Sequence, residues 1–151
     1  MTMSIDKSRD WWTSPDAADI QPFLRDLAKE EGTMPINAFR LAKCACGSLK
    51  FRLTGDEEEG CARRICAACT ASAFICDSED YWSEATPEAL VCHGCDADVF
   101  NVGVGFSWTS KAGTDVGWII VGQRCVHCGI LGSFVDWKVS HSPSLQLLGQ
   151  V

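Results

Sequence analysis

Eight cysteines set in four close pairs constrain this chain more than any other feature. The pairs are Cys44-Ala45-Cys46, Cys66-Ala67-Ala68-Cys69, Cys92-His93-Gly94-Cys95 and Cys125-Val126-His127-Cys128. A tight turn carrying two cysteines aims two sulfurs at one ion, and its backbone N–H groups hydrogen-bond the thiolates. Two such knuckles complete a tetrahedral set of four. Disulfide frameworks impose no such pairing. Gly47 follows Cys46 and Gly129 follows Cys128, as turns this tight require. Pairing the knuckles in chain order gives Cys44, Cys46, Cys66 and Cys69 as one ligand set, and Cys92, Cys95, Cys125 and Cys128 as the other. The expected cofactor is zinc, two ions per chain. Iron is the alternative, because four thiolates accept either metal.

The compartment supports metal over disulfides. No apolar run approaches the roughly 18 residues of a membrane span, and the first ten residues carry no apolar stretch of a secretory signal. A cytoplasmic, reducing setting is therefore expected, with no membrane partner. Cys61 and Cys76 stand outside the pairs and read as buried free thiols. Cys61 is close in sequence to Arg63-Arg64, so a reactive, cation-activated thiol is the competing reading. His93 and His127 lie inside knuckles and are expected at exposed tips, because four cysteines already suffice. His141 is expected in a solvated loop.

Around the knuckles the apolar pattern predicts mainly β structure with an N-terminal α-helix, the β part forming two small antiparallel zinc-ribbon sheets packed together. Residues 1–43 read as a mobile arm, a helix and an extended approach. Trp11-Trp12 sits in the arm, either folded back or serving as a docking patch. Ser14, Pro15 and Asp16 suit a helix start. Ile20, Phe23, Leu24 and Leu27 form one apolar stripe, and Gly32 fits the stop. Pro22 splits or kinks this run, leaving a helix over about residues 20–31.

Residues 44–76 form the first module. Leu49, Phe51 and Leu53 alternate with polar residues, Gly55–Gly60 is an acidic turn, Cys61–Ile65 returns, and Ser72–Cys76 adds a third strand. Residues 77–90 are an acidic linker with at most one helical turn, carrying Tyr81-Trp82. Residues 91–151 form the second module and the tail. There Phe100, Val102, Val104 and Phe106 alternate, Ser110–Asp115 turns, Val116–Arg124 returns, and Gly132–Val139 closes. The tail from Pro143 is apolar enough to pack.

The two modules are one pattern written twice: cysteine pair, strand, turn, strand, CxxC, strand. Phe51 lies five residues after Cys46, as Phe100 does after Cys95. The inner interval is 19 residues in the first module and 29 in the second, so the second hairpin is longer. An internal duplication predicts that the modules share strand order.

This arrangement resembles zinc ribbons and rubredoxin-like folds, in which two knuckles at the end of a small antiparallel sheet clamp one ion. The resemblance covers residues 44–76 and 91–139 and implies metal and fold class. The segment from Cys44-Ala45-Cys46-Gly47 to Phe51, with Cys66/Cys69 and the Cys92/Cys95 pair ahead of Phe100, is also similar to the glutathione-dependent formaldehyde-activating zinc family. That likeness implies a zinc-dependent carbon–sulfur lyase. The chain departs from the family's pattern in lacking an extra cysteine at Ile65 and Ala67–Ala68, and in carrying a fourth pair, Cys125/Cys128.

Two closed four-thiolate sites leave no open coordination position, and no nucleophile or phosphate-loop motif is present. The expectation is a non-enzymatic, zinc-stabilised interaction protein with no catalytic residue. Its candidate contact residues are Trp11, Trp12, Arg52, Arg63, Arg64, Tyr81 and Trp82, and its expected partner is a protein. Nucleic-acid binding through the basic face of the first module is an alternative. Residues 36–76 hold six Lys and Arg against four Asp and Glu. The whole chain carries −7, and two filled sites take that to about −11, which disfavours a polyanion. A rubredoxin-like iron electron carrier and the lyase are the further alternatives.

Overall fold

The computed structural model describes residues 5–109, 115–140 and 143–151. The fold is mainly β: one eight-stranded antiparallel sheet with a helix near the N-terminus. The helix α1 runs Ile20–Glu31, preceded by a 3-10 turn at Ala17–Asp19. Pro22 falls in the first turn of α1, where its missing N–H costs no helical bond. Asp16, rather than Ser14, caps the start, its carboxylate accepting from the N–H of Ala18 at 2.9 Å. Ser14 is buried instead, and its hydroxyl donates to Asp19 at 2.5 Å. Gly32 ends the helix in left-handed backbone, φ 66°.

The strands are β1 (Ala38–Leu41), β2 (Phe51–Asp56), β3 (Cys61–Cys66), β4 (Ser72–Phe74), β5 (Glu88–Ala89), β6 (Phe100–Trp108), β7 (Val116–Cys125) and β8 (Leu131–Lys138). A four-residue helix α2, Glu79–Trp82, precedes β5. The six strands expected around the knuckles are all present, near the predicted bounds. The turn expected at Ser110–Asp115 lies outside the described residues except for Asp115, and His141 lies outside them too.

Two separate sheets packed together are not what forms. The order β4-β3-β2-β6-β7-β8 is continuous, and the join is a single antiparallel pair, Phe51 with Phe100. Beyond that pair the sheet forks. β1 takes the freed edge of β6, and β5 takes the freed edge of β2. The wings enclose the main core between them, with Phe51, Leu53, Val102, Val104, Ile119 and Val121 at its centre. β8 closes it from the far side. A side chain at Gly55 would meet the Phe134 ring at 2.9 Å, and one at Gly60 would meet Trp137 at 2.6 Å.

The fork is reciprocal. β1 leads into the first knuckle yet pairs with the second hairpin; β5 leads into the third knuckle yet pairs with the first hairpin. The matches run residue by residue. Leu41, three before Cys44, faces Gly103, three after Phe100. Ala89, three before Cys92, faces Thr54, three after Phe51. The N–H of Ala42 reaches the Val102 carbonyl at 2.8 Å, as Leu90 reaches Leu53 at 2.9 Å. Strand order is therefore shared, as the duplication predicts, with an approximate two-fold axis at the Phe51–Phe100 pair.

The other face of the second hairpin is covered by α1. Ile20, Phe23 and Leu24 pack there with Leu131, Phe39 and Ile120. Gly103 and Gly122 permit the approach: a Cβ at Gly103 would lie 2.4 Å from the Phe39 ring, and one at Gly122 would lie 3.0 Å from both Ile20 and Leu24. The tail packs, as expected. Leu147 is buried, and the Gln150 carbonyl accepts from the N–H of Cys76 at 2.7 Å.

Candidate metal centres

Each ligand group forms where the ends of three strands meet. Cys44 and Cys46 sit between β1 and β2, Cys66 is the last residue of β3, and Cys69 lies in the turn toward β4. Cys92 and Cys95 sit between β5 and β6, Cys125 ends β7, and Cys128 lies in the turn toward β8. Knuckle hydrogen bonds repeat between the groups. Thr70 donates to the Cys66 carbonyl at 3.0 Å, as Gly129 does to Cys125 at 2.9 Å. Ala67 donates to Lys50 at 2.9 Å, as Val126 does to Val99 at 3.1 Å. Every knuckle closes on left-handed backbone right after its second cysteine: Gly47 at φ 96°, Thr70 at 65°, Asp96 at 63° and Gly129 at 82°. Asp tolerates this conformation better than Thr does.

Within each group the four Sγ atoms all lie within 4.8 Å of one another. The closest contacts are Cys44–Cys69 at 3.5 Å and Cys46–Cys66 at 3.6 Å, then Cys92–Cys128 at 3.5 Å and Cys95–Cys125 at 3.6 Å. A tetrahedral ion with zinc–sulfur bonds of about 2.3 Å sets its sulfurs about 3.8 Å apart. The donor sets therefore fit such an ion. No disulfide joins any of the ten cysteines. Cys44, Cys66, Cys92 and Cys125 are buried, whereas Cys46, Cys69 and Cys128 are exposed, so each group sits at the surface with a buried inner half.

The thiols are not equivalent. The N–H of Cys69, aided by that of Ala68, holds Cys66 down at about 6. At Cys69 the N–H of Ala71 favours the thiolate, but the neighbouring thiols outweigh it and push Cys69 up to about 11. In the second group burial opposes the Cys92 thiolate, but the N–H groups of Gly94 and Cys95 overcome it, and its pKa is lowered. Burial and then the neighbouring thiols push Cys128 up to about 12. Backbone N–H groups thus favour the thiolate at Cys66 and Cys92, and a cation at the centre of either group would favour it further.

Cys61 and Cys76 are both buried outside these groups. Burial pushes the Cys61 thiol up, Asp56 adding to it, which is the opposite of an activated nucleophile. Burial likewise raises Cys76, whose thiol lies 3.4 Å from the Leu147 carbonyl. His93 and His127 are exposed and belong to neither group.

The candidate contact residues do not form one patch. Trp12 packs edge-on against Phe23 with Lys7 over its ring. Trp11 remains 48% exposed and stacks on His93 beside the second group. Arg52 and Arg63 share one sheet face, where Arg63 lies over Trp82 and Trp82 meets Phe74. Arg52 is engaged with Asp98 at 3.3 Å. Tyr81 is half-buried in α2. Arg64 points to the opposite, core face, lies over the Phe51 ring and donates to the Val151 carbonyl at 3.1 Å.

Comparisons with protein-family models, with curated proteins and with solved structures found no match to the chain. Among the described residues no helix is long and apolar enough to cross a membrane.

Proposed function

We propose that the chain is a non-enzymatic interaction protein whose fold is held by two zinc ions, one in each four-cysteine group. The observation that carries this is the convergence of eight thiols into two sets, each drawing together the ends of three strands. Zinc closed by four thiolates has no position left for substrate, and such sites are structural. This weighs against the lyase reading. A small sheet with one covering helix gains from a metal what its burial alone does not supply.

The test is metal content per chain on the native protein, followed by chelation. The expected result is two zinc ions, a colourless solution, and loss of the β-sheet circular dichroism signal when a strong chelator strips them. One ion per chain contradicts the two-site assignment. None contradicts the reading altogether, and a red-brown protein holding iron replaces it with the electron carrier.

A further inference from the structure

Two open strand edges face one groove beside the second four-cysteine group. Among the described residues β5 pairs only with β2, and β8 pairs only with β7. The N–H of Leu90 is taken by the Leu53 carbonyl. Antiparallel alternation therefore turns the N–H and C=O of Ala89 and Val91 away from β2. On β8 the N–H of Leu131 leaves β7 for the Trp12 carbonyl, and the register places Ser133 in the same outward orientation. The N-terminal arm covers this edge at Ile130 and Leu131. Beyond Leu131, no backbone partner takes the outer edge of β8 among the described residues.

Ala89 and Val91 on one side, with Phe134 and Val135 on the other, line a cavity of about 510 Å³. A second cavity of about 310 Å³ shares Val91 and Phe134 and reaches Ser133 and Trp11. Together they form one groove between the two edges. Three carboxylates line it, Glu57, Glu88 and Asp96, and no Lys or Arg does. Gln123 lines the same groove, and its buried Oε1 has no hydrogen-bond partner among the described residues. Such an acceptor is costly to leave unmade. Val91 stands 44% exposed at the rim.

We infer that this groove takes an extended, basic segment of a partner protein, added as a strand between β5 and β8. The inference rests on the interaction-protein reading above and names the partner's chemistry. Open main-chain groups supply hydrogen bonds regardless of sequence, and the carboxylates select lysine and arginine side chains. The incoming strand would also cover two edges that otherwise invite aggregation.

The experiment selects a random octapeptide library, displayed on phage, against the full zinc-loaded chain. Binding of the enriched peptides is then measured by fluorescence anisotropy. Enriched sequences are expected to carry Lys or Arg and to lack Pro. Their affinity should fall at least tenfold with Glu57→Lys plus Glu88→Lys. It should fall similarly with Ser133→Pro, which deletes one outward N–H while leaving the ladder to β7 intact. No enrichment, enrichment of acidic or proline-rich sequences, or affinities unmoved by these substitutions would overturn the inference. Zinc content and melting temperature are measured on the same preparations. A protein with two zinc ions that selects no basic peptide sinks the inference alone, whereas a protein without zinc sinks the reading beneath it.

Discussion

Single residues at equivalent knuckle positions differ in how well they suit the backbone they occupy. Thr70 and Gly129 each follow the second cysteine of a CxxC and both are left-handed. Thr70 bears the steric cost of that conformation, whereas a side chain at Gly129 would strike the Ser14 carbonyl at 2.7 Å. Thr70→Gly should therefore stabilise the protein by about 1 kcal/mol, a rise of about 2–4 °C in melting temperature for a chain this size. Gly129→Ala should cost about 1–3 kcal/mol. Thermal melts of both variants check the pair, and a stabilising Gly129→Ala would contradict the packing. Cys66 sets the pH dependence. Its folded pKa is lowered from 9.0 to about 6. Its contribution is thus fully present above 9 and is lost as pH falls through about 6. Bound zinc holds the thiolate further down, so zinc release, followed with a chromogenic chelator, should set in only on acidification below that point. Cys→Ser at Cys66 should move the onset to higher pH.

Short elements tie the two four-cysteine groups to each other's hairpins. β1 and β5 were legible in the sequence only as an extended approach and a linker. Glu88–Ala89 is two exposed residues with no periodicity, and only the Leu90 bond to Leu53 makes it a strand. β7 and β8 were read from their places after the turn and after the last knuckle, whereas alternation marked β6, because a buried face repeats every two residues along the chain itself. The helix was legible for the same reason at period 3.6, and its glycine stop was found. That Gly103 and Gly122 make room for Ile20 and Leu24 was not legible in the sequence. Because each knuckle approach is held by the other hairpin, loss of one site should weaken the other. Cys128→Ser should lower the zinc affinity of the first group about tenfold, or about 1.4 kcal/mol of coupling. Competition titration with a metal indicator measures this, and an unchanged first site would show the groups to be independent.

At the scale of the whole molecule, the sheet is a folded fork rather than two ribbons. Its wings meet at Phe51 and Phe100 and close where Trp137 touches Gly60 and donates to Asp77 at 3.0 Å. The negative charge has a place in this architecture. Glu57, Glu88 and Asp96 come from three separate stretches of chain and gather along one groove, whereas in sequence they read as an acidic turn, part of a linker and a knuckle. The arginines behave conversely. Arg52, Arg63 and Arg64 are a basic cluster in sequence, but alternation sends Arg64 to the core face and away from the others. The sequence by itself determined the two four-cysteine groupings and the hairpins that present them. Both depend on spacing over a few residues, and thiolate geometry and the two-residue strand period act at that range. Tertiary structure decided that the hairpins join into one sheet, that each module borrows its neighbour's strand, and that, among the described residues, two edges remain open over a shared groove. Those outcomes depend on hydrogen bonds between residues far apart in the chain, as between Ala42 and Val102. A backbone N–H or C=O pairs wherever the fold brings a partner, whatever side chain it carries.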